Sequence, residues 1–185
     1  MIDLDLFVKN NFPKIKEVGL AAGADEASVV AALKKYPMDM LEDIGEEGIV
    51  TFMLFEVPFS DAFLTDFEGI GYEEFLNKIQ DISAGELSFV DVKDNVSEDT
   101  LEKGIGTSEV SFKCNGESFS YTAKVYYDWF DVKFISFLNT VLEKKGIEKR
   151  LIVFGDPNGT FITYKKPGFV KKFKEVFPML KADIA

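Results

Sequence analysis

The stretch "SEVSFKCNGESFSYTAKVYY", residues 108–127, decides how the second half of this chain folds. Two runs rich in β-branched and aromatic residues flank Asn115-Gly116, and both of those residues tolerate positive φ. The stretch therefore predicts a β-hairpin closed by a type I′ turn. Upstream, "ELSFVDVKD" (86–94) alternates Leu87, Phe89 and Asp91 against Ser88, Val90 and Val92, the period of a strand. Downstream, "DVKFISFLNTVLEKKG" (131–146) carries Phe134, Phe137, Leu138, Val141 and Leu142 at helical spacing and stops at Gly146. "KRLIVFG" and "TFITYK" then read as two strands joined by Asp156-Pro157-Asn158-Gly159. In that turn Pro157 fixes φ and Gly159 is expected in the left-handed position. "GFVKKFKEVF" closes the chain as a helix.

Residues 1–84 read differently. "FPKIKEVGLAAG" places Ile15, Val18 and Ala22 on one face, and "DEASVVAALKKYP" has acids at its start, lysines at its end and a proline stop. "PMDMLEDIGEE" continues with Met38, Leu41 and Ile44. The apolar run "GIVTFMLFEVP" (48–58) fits a buried helix or a buried strand by period alone and is read here as helix. "SDAFLTDFEGIG", with Ser60 as its N-cap, and "GYEEFLNKIQDIS" are expected as two further short helices. The expected fold is α+β: a mainly helical region, 1–84, packed on an α+β region, 85–185. That second region has the order β-β-β-α-β-β-α in one antiparallel sheet, and the two regions form one compact unit.

Composition narrows the chemistry. The 185 residues contain no histidine, which removes the commonest general base and the usual zinc and iron ligands. Cys114 is the sole cysteine, so no intrachain disulfide or CxxC site exists, and a reducing, cytoplasmic setting is expected. Asp3 and Asp5 stand where a secretory leader needs positive charge, and no apolar run is long enough to span a bilayer. No cofactor or metal is implied.

Net charge is −11, and it is unevenly placed. Residues 39–103 hold eighteen acids and three bases, whereas residues 104–185 hold nine acids and thirteen bases. Such an acidic middle repels nucleic acid and anionic membranes and steers basic proteins. The lysines of "YKKPGFVKKFK" are expected to balance that charge or face water, with Phe169, Phe173 and Phe177 forming a buried stripe. "GDPNGT" lacks the lysine and following helix of a phosphate loop. "DVKDNVSEDTLE" (91–102) lacks the glycine and spacing of a calcium loop.

Two readings of "VYYDWFDVKF" (125–134) stay open. In one, Asp131 is the N-cap of the following helix and Trp129 fills the corner between strand and helix. In the other, Trp129, Tyr127 and Asp128 form a contact patch, joined by the acids Glu98, Asp99 and Glu102 of the preceding connection.

Residues 107–177 resemble a group of small, acidic bacterial cytoplasmic proteins, some similar to immunity proteins of polymorphic toxin systems. The shared pattern is an F-x-x-N-G-x-x-[YF] hairpin followed by D-W-[IF]-D. Here it falls on Phe112, Asn115, Gly116, Phe119, Asp128, Trp129, Phe130 and Asp131. Where that group has a Gly-Gln-Gly-like turn, this chain has Asp156-Pro157-Asn158-Gly159. The resemblance implies a non-catalytic intracellular protein that neutralises a basic partner. The motif positions are turns and caps, so two other classes stay open: a histidine-free enzyme or ligand binder using carboxylates in a cleft between the halves, and a scaffold subunit.

Overall fold

The structure is a computed structural model that describes residues 2–156 and 159–185. In chain order it contains α1 (Leu4–Val18), α2 (Glu26–Leu33), α3 (Met38–Phe55), β1 (Ala62–Thr65), α4 (Tyr72–Ile82), β2 (Phe89–Val96), α5 (Glu98–Lys103) and β3 (Ile105–Cys114). It continues with β4 (Glu117–Tyr126), α6 (Lys133–Lys144), β5 (Arg150–Asp156), β6 (Gly159–Lys165), α7 (Gly168–Val176) and β7 (Lys181–Ile184). The chain is an α+β protein with a helical first half and a sheet-rich second half. No helix among the described residues is long and apolar enough to cross a membrane.

The hairpin forms where the residue pattern places it. Asn115 and Gly116 take φ of 48° and 84°, and β3 and β4 pair in unbroken register from Cys114↔Glu117 to Ile105↔Tyr126. Asn115 also tethers the start of β2, since its Oδ1 accepts from Ser88 N–H at 2.7 Å. One face of the hairpin is polar: Thr107, Glu109, Ser111 and Lys113 stand opposite Lys124, Thr122, Ser120 and Ser118. The other face buries Ser108, Val110, Phe112 and Ala123.

Several expectations change. The single sheet is two antiparallel sheets, ordered β1-β6-β5-β7 and β2-β3-β4. Residues 60–71 do not form a helix, and Ser60 caps none. Ala62–Thr65 is instead a strand that adds to the edge of β6, from Ala62↔Thr163 to Thr65↔Thr160. The pairing is secured by Lys165, which forms an ion pair with Asp61 while Asp61 also accepts from Ala21 N–H. The acidic connection contains a short helix, α5, capped by Ser97, and the chain ends in a strand, β7. Residues 48–55 are helical, fused with the preceding segment into α3 across a kink at Gly45.

Pro157 lies outside the described residues. Gly159 is not in the left-handed conformation expected of it; it opens β6, and the Phe55 ring occupies the space where a Cβ would stand. Close approach of α3, not turn geometry, is what excludes a larger residue there.

The layers follow from which face each residue presents. Along β5 and β6, Ile152, Phe154 and Phe161 face one core with α1, α2, α3 and α7, and Leu151, Ile162 and Tyr164 face a second core with α4 and α6. The four-stranded sheet is thus buried on both sides, which explains its near-continuous apolar sequence. The second core is closed on its far side by β2-β3-β4 and is crowded with rings. Phe134 alone meets Tyr72, Phe112, Tyr121 and Phe130. The stripe Phe169, Phe173, Phe177 is buried in the first core.

Candidate functional site

The second core opens at one end, beside the turn that leaves β4. There the chain "YYDWFD" is strapped to the loop before α4 by main-chain bonds. Gly69 N–H donates to Asp128 C=O at 2.9 Å and Phe130 N–H to Phe67 C=O at 2.8 Å. From the other side, Tyr127 N–H donates to Gly104 C=O at 2.6 Å. These constraints hold Tyr127 at φ 53°, a conformation that costs an aromatic residue free energy and persists only where the surroundings impose it. The edge of the Tyr127 ring, at Cδ1, packs against Gly104, 2.8 Å from where a Cβ would be.

This arrangement separates two neighbouring rings. Phe130 is buried and packs on Phe67, Tyr72, Phe75 and Phe134. The corner between strand and helix is therefore filled by Phe130, and Trp129 does not fill it; Trp129 is 50% exposed. Around it stand Tyr126 at 57%, Tyr127 at 63%, Ile105 at 54% and Leu101 at 67%. Ile105 pairs with Tyr126 across the hairpin, and the two tyrosine rings meet edge to face at 5.1 Å.

Beside Leu101, Tyr127 and Trp129 lies a groove of about 280 Å³, which Ile105 and Tyr126, on the outer face of the hairpin, do not line. Ile70 and Tyr72 form one wall, Tyr127, Trp129 and Leu101 the mouth, and Asp94, Val96 and Ser108 the sheet side. Asp128 is on the rim. Burial pushes the Tyr72 hydroxyl pKa upward, with the charges of Asp131 and Asp94 adding to it. The groove takes residues from both sides of position 85.

Of the residues singled out in the sequence, Trp129, Tyr127 and Asp128 come together on this groove. Glu98, Asp99 and Glu102 lie on α5 beside Leu101 without lining it, and Asp99 is engaged by Lys103 at 2.6 Å in an exposed i,i+4 pair. Such a pair contributes little to stability. Asp131 is not the N-cap of α6, because Val132 is already helical and occupies that position. The carboxylate still reaches the first turn, accepting from Lys133 N–H at 3.1 Å through Oδ1. Its Oδ2 accepts from Lys124 N–H at 2.9 Å and from the Tyr121 hydroxyl at 3.0 Å. Burial and this carboxylate push the Tyr121 pKa up to about 12.

Asp94 was missed because of a bulge. Phe89 faces the core opposite Cys114, and plain alternation would put Asp91, not Asp94, on that face. Asp91 takes φ 55° and the register slips by one residue, so Asp94 pairs with buried Val110 and shares its face of the sheet, where it stays exposed at the open end.

Two larger hollows, about 490 and 580 Å³, run along α1. Their polar groups serve local structure: Asp3 caps α1 at Leu6 N–H, and Lys14 donates to Asn11. Hydrogen bonds to Ser28, Lys113 and Lys166 hold the carboxyls of Asp25, Asp91 and Glu148 below the usual range, the direction opposite to that of a general acid. Among the described residues no group of three or more Asp, Glu, Cys or His is placed to hold a metal ion. Cys114 is buried, which pushes its thiol pKa up. The C-terminal lysines meet acids: Lys166 pairs with Glu148 at 2.6 Å and Lys174 with Asp183 at 2.8 Å. Compared with family models, with curated proteins and with solved structures, the chain matches none.

Proposed function

We propose that this chain is a non-catalytic binding protein, immunity-like, that neutralises a basic protein partner through the groove beside Trp129. The observation that carries the reading is the exposure of Leu101, Tyr127 and Trp129 together on one groove. Scattered apolar residues need no explanation, but Trp and Tyr grouped on a rigid rim are the anchors of protein interfaces. Glu68, which bridges to Trp129, together with Asp128, Glu98 and Glu102, surrounds the patch with negative charge, which raises the association rate of a basic partner. A cytoplasmic setting accords with the single unpaired thiol.

The test is affinity capture at low salt with wild type and Trp129→Ala side by side. Wild type should retain a protein of high isoelectric point that a salt step releases, and Trp129→Ala should not retain it. Equal capture by both, or capture indifferent to salt, removes the groove or the charge from the reading.

A further inference from the structure

One polar group in the groove has no partner that satisfies its charge. Asp94 shares the face of Val110 on the three-stranded sheet and, exposed there, lines the groove. The Ser108 hydroxyl donates to its Oδ1, and among the described residues Asp94 forms no ion pair. Asp128 on the rim likewise has no side-chain hydrogen bond or ion pair among the described residues. Lys124 also borders the groove, but its register opposite Thr107 puts its side chain on the outer face of the sheet.

A carboxylate at the sheet side of a cleft mouthed by two aromatic rings favours a cation twice over. It offers a charge-assisted hydrogen bond, and the ring faces attract positive charge. At about 280 Å³ the groove is smaller than the ~300–1,000 Å³ that encloses a drug-sized ligand, and its size suits one side chain. A guanidinium fits better than an ammonium, since its plane stacks on rings while its fork meets a carboxylate.

We infer that the groove seats a single arginine side chain of the basic partner, with Asp94 accepting from the guanidinium and Tyr127 and Trp129 supplying ring faces. This rests on reading the groove as the partner-contact surface, and it adds the chemical group recognised there.

Trp129 is the only tryptophan, so its fluorescence reports on the seat directly. The full chain is titrated with N-acetyl-argininamide and, at matched ionic strength, with N-acetyl-citrullinamide, which has the same shape without the charge. The arginine compound should give a saturable change at millimolar concentration that the citrulline compound does not, at least fivefold weaker in Asp94→Asn. An equal response to both compounds overturns the seat, as does an unweakened response in an Asp94→Asn protein that keeps its wild-type melting temperature. The comparison of the two compounds uses wild type alone, so it decides even if the variant fails to fold. A shift in Trp129 emission with protein concentration, unaffected by argininamide, would assign the groove to a second copy of the chain and also overturn the seat.

The two readings fail separately. Capture of a basic protein that Trp129→Ala abolishes and Asp94→Asn leaves intact sinks the arginine seat and keeps the partner surface. An Asp94-dependent argininamide response without protein capture does the reverse.

Discussion

The Tyr121 hydroxyl donates to Asp131 Oδ2 at 3.0 Å, so a single carboxylate ties the middle of β4 to the entry of α6. Because that carboxylate also takes the backbone N–H groups of Lys124 and Lys133, Asp131→Ala leaves three donors without their acceptor. Expected destabilisation is about 1–3 kcal/mol, read as a lower urea midpoint with unchanged slope. Asp131→Asn keeps one acceptor oxygen and should lose less.

Tyr121 also gives the protein an alkaline stability limit. Its pKa is raised to about 12 in the folded protein, above the ~10 of an unfolded tyrosine. Between those values the unfolded chain has released the proton and the folded chain has not, so stability falls as pH rises. Below pH ~10 the contribution is fully present. Urea midpoints of wild type and Tyr121→Phe should therefore differ most near neutral pH, in favour of wild type. The gap should narrow as pH rises through that window, because the phenylalanine variant lacks the titration.

Adjacent rings should behave oppositely. Phe130→Ala removes a buried ring from the second core and should cost about 3–5 kcal/mol. Trp129→Ala, at an exposed position, should cost under about 1 kcal/mol while abolishing capture. Thermal melts of the two variants check this, and a large loss for Trp129→Ala would return that residue to a structural role.

Gly104→Ala strains a position at φ 66° and pushes on the Tyr127 ring. A loss of about 1–2 kcal/mol is expected from the left-handed backbone alone. The displaced ring should weaken partner capture as well, at temperatures where the variant is fully folded.

Cys114 is buried, with its thiol pKa raised by that burial. A thiol reagent at pH 8 should label native protein slowly and urea-unfolded protein at once. Rapid labelling of the native state would place the thiol at the surface.

Local chemistry was readable from the residues: the Asn115-Gly116 turn and the faces of α6 and α7. What escaped depended on distant partners. "SDAFLTDF" has a plausible helix cap, yet it is a strand because β6 offers an edge to Ala62–Thr65. Trp129 and Phe130 are alike in type, and only the strap from Phe67 and Gly69 decides which one turns inward. Asp94 shares the face of Val110 through a one-residue slip at Asp91, a feature that strict alternation hides.

The pairing of β1 with β6 also sets an order on synthesis. Thr65 must wait for Thr160, and α1 for α7, before the first core can close. Long-range pairing of this kind is paid in folding time, and at translation rates of ~5–20 residues per second the helical first half spends several seconds with its apolar faces uncovered. A chain truncated before β5 would keep α1, α2 and α3 yet lack the sheet they pack on. Such a fragment should be found bound to chaperones or degraded, so the last fifth of the chain acts as the closing step for its helical start.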